Sequence, residues 1–273
     1  MKLTSACVNL MYQQDTSLYM EDSSTGNKQE PEKTSYQLLL ISGLKKEIEM
    51  ARKLDPEKLT AEIREIGFFC QHCGKCCRRA FGDNRVAVIP SEIEIIREYI
   101  GFSKLEIAGP FIPEAPTQDE NLEENKESPS PELLDSLQEC IDSEGKIHIF
   151  GWILRRKRNG DCIFLERDTH KCRVYPVRPM LCSTYPFYIE ELRLQTCECE
   201  GLGYPISIEE SRELAEDLLL RYVSELEDTL GTYENFVEFR KGKRSLKLAK
   251  MSLKNGTCTF IVHDSRGSTE VID

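Results

Sequence analysis

Cys70-Gln71-His72-Cys73-Gly74-Lys75-Cys76-Cys77 is the stretch on which the reading of this chain turns. It sets four thiols in a C-x2-C-x2-C-C pattern. A C-x2-C turn aims two thiolates at one centre, and Gly74 relaxes the backbone beside it. A second set lies further along. Cys162, Cys172 and Cys182 follow at intervals of ten residues, and Cys199 begins Cys199-Glu200-Gly201-Leu202-Gly203. Cys70, Cys73, Cys76, Cys77, Cys162, Cys172, Cys182 and Cys199 are therefore the candidate metal ligands. The sequence marks no catalytic residue.

Their compartment decides what such thiols do. The chain has 12 Cys in 273 residues. Met1 to Met20 is interrupted by Gln13, Gln14 and Asp15, so no apolar core of a secretory leader is expected there. The expected location is cytoplasmic, where clustered Cys bind metal or do redox chemistry more often than they form structural disulfides. The longest apolar run considered, Leu38-Leu39-Leu40-Ile41, falls far short of the roughly 20 residues of a membrane span, so none is expected.

Four thiolates satisfy tetrahedral zinc, and they equally satisfy a [4Fe–4S] cluster. Cys70, Cys73 and Cys76 match the first three positions of a bacterial ferredoxin run, but Ala80 stands at the fourth. A fourth ligand then comes from Cys77 or from the distant set. Adjacent Cys76 and Cys77 are expected to point apart, which makes joint service at one small zinc site awkward. Eight thiols allow two sites, or one four-Cys site with reactive thiols left over. Arg78, Arg79 and Arg178 are placed to screen thiolate charge, or are plain surface charge. His72 and His170 read as loop or supporting residues rather than ligands. Cys197 is an alternative ligand. Cys7, Cys140 and Cys258 stand apart, the last two as small buried hydrophobes. Trp152, Tyr175 and Tyr185 read as core or shielding aromatics.

The surrounding chain is acidic, with a net charge of −11. Between Glu106 and Gly145 stand 12 acidic residues and a single basic one, Lys126. With five prolines, that segment reads as an inserted acidic loop, solvated at least over Pro113–Pro131. Residues 1–34 read as a disordered tail. Helices are expected over Tyr36–Leu54 and Pro56–Ile66. A third is expected to be capped by Ser91 with Glu94, and a long one by Ser207 with Glu210 running to about Leu230. Lys146–Arg156 reads as one strand returning through Asn159-Gly160 to Cys162–Leu165. The basic run Arg240 to Lys254 reads as a solvated helix face, so nucleic acid is not an expected partner. A hairpin turning at Arg266-Gly267 is expected at the end.

Together these motifs resemble the CxxCxxCC cysteine-cluster proteins of the YkgJ type, described as zinc- or iron-chelating domains. The matching pieces are Cys70–Cys77, Val86–Gly101 and Gly160-Asp161-Cys162-Ile163-Phe164-Leu165. Cys172-Arg173-Val174-Tyr175-Pro176-Val177-Arg178-Pro179, Cys182, Tyr185-Pro186-Phe187 and Cys199-x-Gly201-x-Gly203 complete them. Ser183 and Glu200 replace the Arg and Pro usual in such proteins. Some members are described as Fe–S oxidoreductases and a related group as flagellin lysine N-methylases. The resemblance thus implies an Fe–S cluster, 4Fe–4S first, in a redox or protein-modifying role. The alternatives are a zinc-binding structural or interaction module and a methylase. The partner or substrate is an unidentified protein. No radical-SAM spacing, dinucleotide fingerprint, P-loop or zinc-protease motif is present.

The expected fold class is α+β: a small mixed domain with N- and C-terminal helices, short hairpins and an irregular Cys-rich segment. The expected organisation is a tail (1–34), a cysteine-cluster domain (35–231) with the acidic insertion at about 106–145, and a C-terminal basic helix and hairpin extension (232–273).

Overall fold

The computed structural model describes residues 33–78, 80, 85–113 and 130–272. The fold is α+β. Its elements in chain order begin with helices α1 (Ser35–Ala51) and α2 (Pro56–Ile66), and a one-turn 3-10 helix at Lys75–Cys77. Strand β1 (Ala87–Val88), helices α3 (Pro90–Ile100) and α4 (Lys104–Ile107), and β2 (Ala108–Pro110) follow. Next are α5 (Pro131–Ser136), β3 (Ile147–Phe150), β4 (Trp152–Leu154) and α6 (Met180–Thr184). The chain continues through β5 (Phe187–Glu190), β6 (Arg193–Thr196), the long α7 (Ile208–Asn235), α8 (Ser245–Lys254), β7 (Thr259–Asp264) and β8 (Gly267–Ile272).

Two apolar cores organise these pieces. The first is helical. One face of α7, with Ala215, Leu218, Tyr222 and Leu226, packs on Ile48 and Ala51 of α1, Leu59 and Ile63 of α2, and Phe187 and Ile189 of the β5–β6 hairpin. The expected reciprocal cap starts α7: Ser207 Oγ accepts from Glu210 N–H at 3.1 Å, and Glu210 accepts from Ser207 N–H at 3.1 Å. The helix runs past Leu230 to Asn235.

The second core is built on two sheets. β4 lies between β1 and β2, antiparallel to both, while β3 pairs parallel with β7, which turns back into β8. Ile93 and Ile96 of α3, Leu134 of α5, Ala249 of α8, Trp152, Phe164 and Phe260 fill the space between them. Truncating one such fully buried isoleucine to alanine costs about 2–5 kcal/mol.

Several expectations change here. The strand read over Lys146–Arg156 breaks at Gly151, whose N–H donates to His263 O at 2.9 Å while its carbonyl accepts from Phe111 N–H at 3.1 Å. Its two halves belong to different sheets. The return through Gly160 makes only the isolated Arg156–Cys162 bridge. The cap of helix α3 lies two residues before the expected Ser91: Glu92, not Glu94, accepts from the capping N–H, that of Ile89, at 2.9 Å. Pro90 at the first position fixes that start. Both ends of the acidic stretch are folded, since Ile107, Ala108, Leu134 and Ile141 are fully buried. Residues 114–129 lie outside the described set, as do residues 1–32 of the expected tail. Within the C-terminal segment, β7 is the central strand of its sheet, paired with β3 on one side and β8 on the other. The basic run meets the acidic segment, with Lys250 of α8 on Asp135 at 2.5 Å and Lys241, just before α8, on Glu139 at 2.6 Å.

Candidate metal centre

The cysteine run leaves α2 through Gly67 and is held at once by the distant Cys199 turn. Phe68 bridges Leu202, Phe69 N–H donates to Gly201 O at 2.9 Å, and Gly203 N–H donates to Gly67 O at 3.0 Å. A Cβ on Gly201 would collide with Phe69 O, so only glycine lets the two strands approach this closely. This pairing brings Cys70 beside Cys199. Lys75 and Glu200 form an ion pair across the same junction, so the residue standing in place of the usual proline binds the cysteine run directly.

Gly74 adopts the left-handed φ of 66° that starts the turn carrying Cys76 and Cys77. Arg78 Nη2 closes that turn by donating to Cys73 O at 2.7 Å. Cys77 O then accepts from Cys162 N–H at 2.9 Å. Leu165 bridges Cys172, which folds the 162–172 segment back on itself. Cys182 rides on α6, whose first N–H, that of Met180, donates to Glu92 Oε1 at 2.7 Å. Thr184 at the other end of α6 accepts from Arg221 of α7 at 3.0 Å.

Neither Glu92 nor Arg221 was marked by the sequence. A buried glutamate on an otherwise apolar helix face was the available signal. Burial pushes its carboxyl above the usual carboxylate range, against the two N–H donors that pull it down.

Cys76 and Cys77 do not point apart. Their Sγ atoms face each other at 4.0 Å. The hydrogen bond with Cys77 pulls the Cys76 thiol down to about 7, with Arg178 assisting, while the same bond and burial push Cys77 far up. The pair gives up one proton easily and the second with difficulty. Burial, then the charges of Cys162, Cys76 and Cys172, pushes Cys182 well up. Burial raises Cys199, against the Gly201 N–H that pulls it down, and Cys76, Cys70 and Cys73 add to the rise. Burial raises Cys162 to about 11 and also raises Cys172.

Among the described residues the cysteines are thiols rather than disulfides. No three His, Cys, Asp or Glu side chains among them stand close enough to hold a metal ion as they lie. The donor set still fits a metal. Half-buried thiols resist ionisation through burial and mutual repulsion, and a bound cation relieves both.

The other expected residues fall into place around this cluster. Arg178 stacks over the Tyr175 ring at 3.9 Å, and His72 packs on the same ring at 5.8 Å between centroids. Tyr185 OH donates to Glu198 O at the edge of the cluster. Trp152 is fully buried in the sheet core, away from solvent. Cys140 and Cys258 are buried, as expected. Burial raises the Cys197 thiol, with Arg221 pulling the other way. Arg79 and Cys7 lie outside the described residues. No described helix is long and apolar enough to cross a membrane.

Comparison with known proteins meets this geometry at the same residues. A protein of Methanocaldococcus jannaschii, itself described as uncharacterized, is 45% identical over 31 residues, which are 11% of this chain and 17% of that relative. The chain therefore spans about a sixth of that relative's length. No solved structure matches. Residues 69–200, which contain all eight candidate ligands, match the family model described as "CxxCxxCC: Putative zinc- or iron-chelating domain". Over residues 69–200, just under half of its length, the chain is similar to the CxxCxxCC family, whose description names zinc or iron as the metal.

Proposed function

We propose that the 70–77 run and the 162–199 segment hold a polynuclear thiolate centre, an iron–sulfur cluster in the first instance, serving a redox or protein-modifying role. The observation that carries this reading is the convergence of the second cysteine set on the Cys76–Cys77 pair. Cys162 N–H is bonded to Cys77 O, and the charges of Cys162 and Cys182 act on Cys77. A lone zinc ion takes four ligands, and eight thiols exceed that number. When bound, such a cluster supplies one-electron chemistry. This chain's own residues supply the rest. Arg178 and Arg78 set positive charge against the thiolates. An open concavity of about 450 Å³ beside Cys162 and Cys172, lined by Lys157, Ile163, Leu165, Arg167 and Arg173, offers room for a substrate group or partner side chain.

A second reading has its own support. The 4.0 Å between Cys76 and Cys77 is close to the ~3.8 Å edge of a tetrahedral thiolate site with metal–sulfur bonds of about 2.3 Å. That favours zinc in a structural or interaction module. The lysine N-methylase reading rests on family analogy alone, and calorimetry with S-adenosylmethionine on the metal-loaded protein tests it.

One preparation separates iron from zinc. The protein is purified without oxygen, and Fe, Zn, acid-labile sulfide and the visible spectrum are measured. Iron with equimolar sulfide and a brown colour supports the cluster. Stoichiometric zinc without colour transfers the assignment to the structural module. Neither metal, after anaerobic reconstitution, overturns both.

A further inference from the structure

We infer that the open concavity on the 157–173 segment is a docking site for an acidic segment of a partner protein, whose carboxylates meet Lys157, Arg167 and Arg173 while an apolar side chain rests on the Ile163–Leu165 floor. The inference rests on the redox or protein-modifying reading for its purpose, and deepens it by naming the chemistry of the partner.

Charge points to this class of partner. Residues 156–178 carry seven Lys and Arg against three Asp and Glu, in a chain whose net charge is −11. Elsewhere basic side chains find carboxylates: Lys45 pairs with Glu234, Arg52 with Glu227, Lys146 with Glu270 and Lys250 with Asp135. At the concavity they do not. Lys157 Nζ donates to the Leu165 carbonyl, Arg173 lies over the Phe102 ring at 5.5 Å, and Arg167 is exposed. None of the three makes an ion pair with a carboxylate among the described residues. The nearby acids are engaged by neutral donors: Asn159 Nδ2 donates to Asp161 Oδ2 at 2.7 Å, and Thr169 Oγ1 donates to Glu166 Oε2. A cationic patch left uncompensated on an acidic molecule favours an acidic partner and steers its approach.

Shape selects among acidic ligands. The concavity holds about 450 Å³, room for a few side chains. Its floor is apolar, so a ligand with charge alone would leave Ile163 uncovered. Glu166 and Asp168 share the rim and oppose a continuous phosphate backbone, whereas a peptide can set its carboxylates apart.

The place of the concavity gives docking a use. Ile163 directly follows Cys162, and Leu165 bridges Cys172. A Cβ on Gly74 would lie 3.6 Å from Leu165 Cδ1 and 3.5 Å from His170 O, so the floor also backs onto the turn of the cysteine run. A docked segment is thereby held beside the thiols, on the backbone that carries two of them.

The test uses the full chain, purified without oxygen. It is titrated at low ionic strength into a fluorescein-labelled peptide, Glu-Glu-Leu-Glu-Glu, with fluorescence anisotropy as the readout and metal per chain measured on the same samples. Saturable binding that weakens with added salt is expected. Arg167→Glu should weaken it by at least about tenfold with metal content unchanged. Lys46→Glu makes the same change of net charge on α1, which packs on α7, and should bind like wild type. The analogue with Gln for every Glu should not bind. Circular dichroism checks the fold, and Arg167→Ala replaces Arg167→Glu if the fold changes.

No saturable binding, equal weakening by Arg167→Glu and Lys46→Glu, or equal affinity for the Gln analogue overturns the site. Tighter binding of an oligothymidine of equal charge assigns the face to nucleic acid. Self-association of the protein that Arg167→Glu abolishes assigns it to a second copy. Either result overturns the partner's acidic segment. Binding and metal content are read separately. Absent peptide binding with metal retained overturns the docking site alone, and a chain that takes up no metal yet binds the peptide overturns the metal reading alone.

Discussion

Glu92 of α3 and Met180 of α6 are tied by a 2.7 Å hydrogen bond between a buried carboxylate and the first N–H of a five-residue helix. That helix carries Cys182. So short a helix has little stability of its own, and its place depends on what holds its ends. Glu92 also accepts from Ile89 N–H at 2.9 Å, so one carboxylate fixes the start of α3 and the start of α6 together. Replacing Glu92 by Gln leaves a single acceptor oxygen for two donors. The expected cost is about 1–3 kcal/mol of unfolding free energy, read by urea denaturation. The same variant should bind metal more weakly in a competition with a chelator. Unchanged stability would remove Glu92 from this role.

Gly201 offers a steric test of the junction between Cys70 and Cys199. A methyl group there would meet the carbonyl of Phe69, which is backbone and cannot swing aside. Gly201→Ala should therefore force the 199–203 turn away from residues 67–69. Overpacking of this kind costs on the order of 1–3 kcal/mol. Thermal melting should fall, and anaerobically purified protein should contain less metal per chain than wild type. A variant that melts and loads normally would show that the close approach is dispensable.

Part of this architecture was legible in the chain and part was not, for physical reasons. Ser207 and Glu210 announced α7 because a reciprocal cap and a long apolar stripe agree over many turns. Ser91 misplaced the start of α3 because the reciprocal partner lay two residues earlier, on an Ile whose side chain cannot accept a bond. The parallel pairing of Ile147–Phe150 with Phe260–His263 is non-local, and no local pattern announces such a pairing. The same limit applies at the site. The spacing of Cys70, Cys73, Cys76 and Cys77 marks that run as candidate ligands. Which distant cysteines meet it is decided by single-residue bridges such as Phe68–Leu202, which leave no periodic trace.

Trp152, the only tryptophan in the chain, reports on the sheet core. Its indole N–H donates to Asp264 Oδ2 at 2.7 Å, and Lys104 Nζ sits 3.9 Å from the ring centroid while also 3.4 Å from that carboxylate. Asp264→Ala leaves a buried N–H without its acceptor and Lys104 without its counter-charge. The expected destabilisation is about 1–3 kcal/mol. Fluorescence emission should move to the red as water reaches the indole. An unshifted spectrum with wild-type stability would mean that another group takes over the N–H.

His148 and His263 make the stability of the fold depend on pH. His148 Nδ1 and His263 Nε2 lie 2.8 Å apart in the buried space beneath Phe236 and Phe239, with Asp142 3.4 Å from the far side of His148. Two rings bonded in this way share one proton. Burial, then the neighbouring His148, lowers His263 to about 4; burial lowers His148 as well, against the pull of Asp142. Lys146 acts on His148 in the same direction as burial, and Asp264 acts on His263 in the opposite one. The unfolded chain takes up these protons near pH 6.5, whereas the folded chain resists them until about pH 4 at His263. Between those values the unfolded state binds more protons, so stability is full above pH 6.5 and declines as the pH falls through this window. A gap of about 2.5 pH units corresponds to about 3 kcal/mol for His263. Urea midpoints measured from pH 7 to pH 4 should show the decline, and His263→Phe should flatten it while lowering stability at pH 7, where His148 Nδ1 loses its partner. An equally steep decline in that variant would place the responsible groups elsewhere, with Glu92 and Asp228, whose carboxyls burial pushes up, exempt because such groups lose stability as pH rises rather than falls.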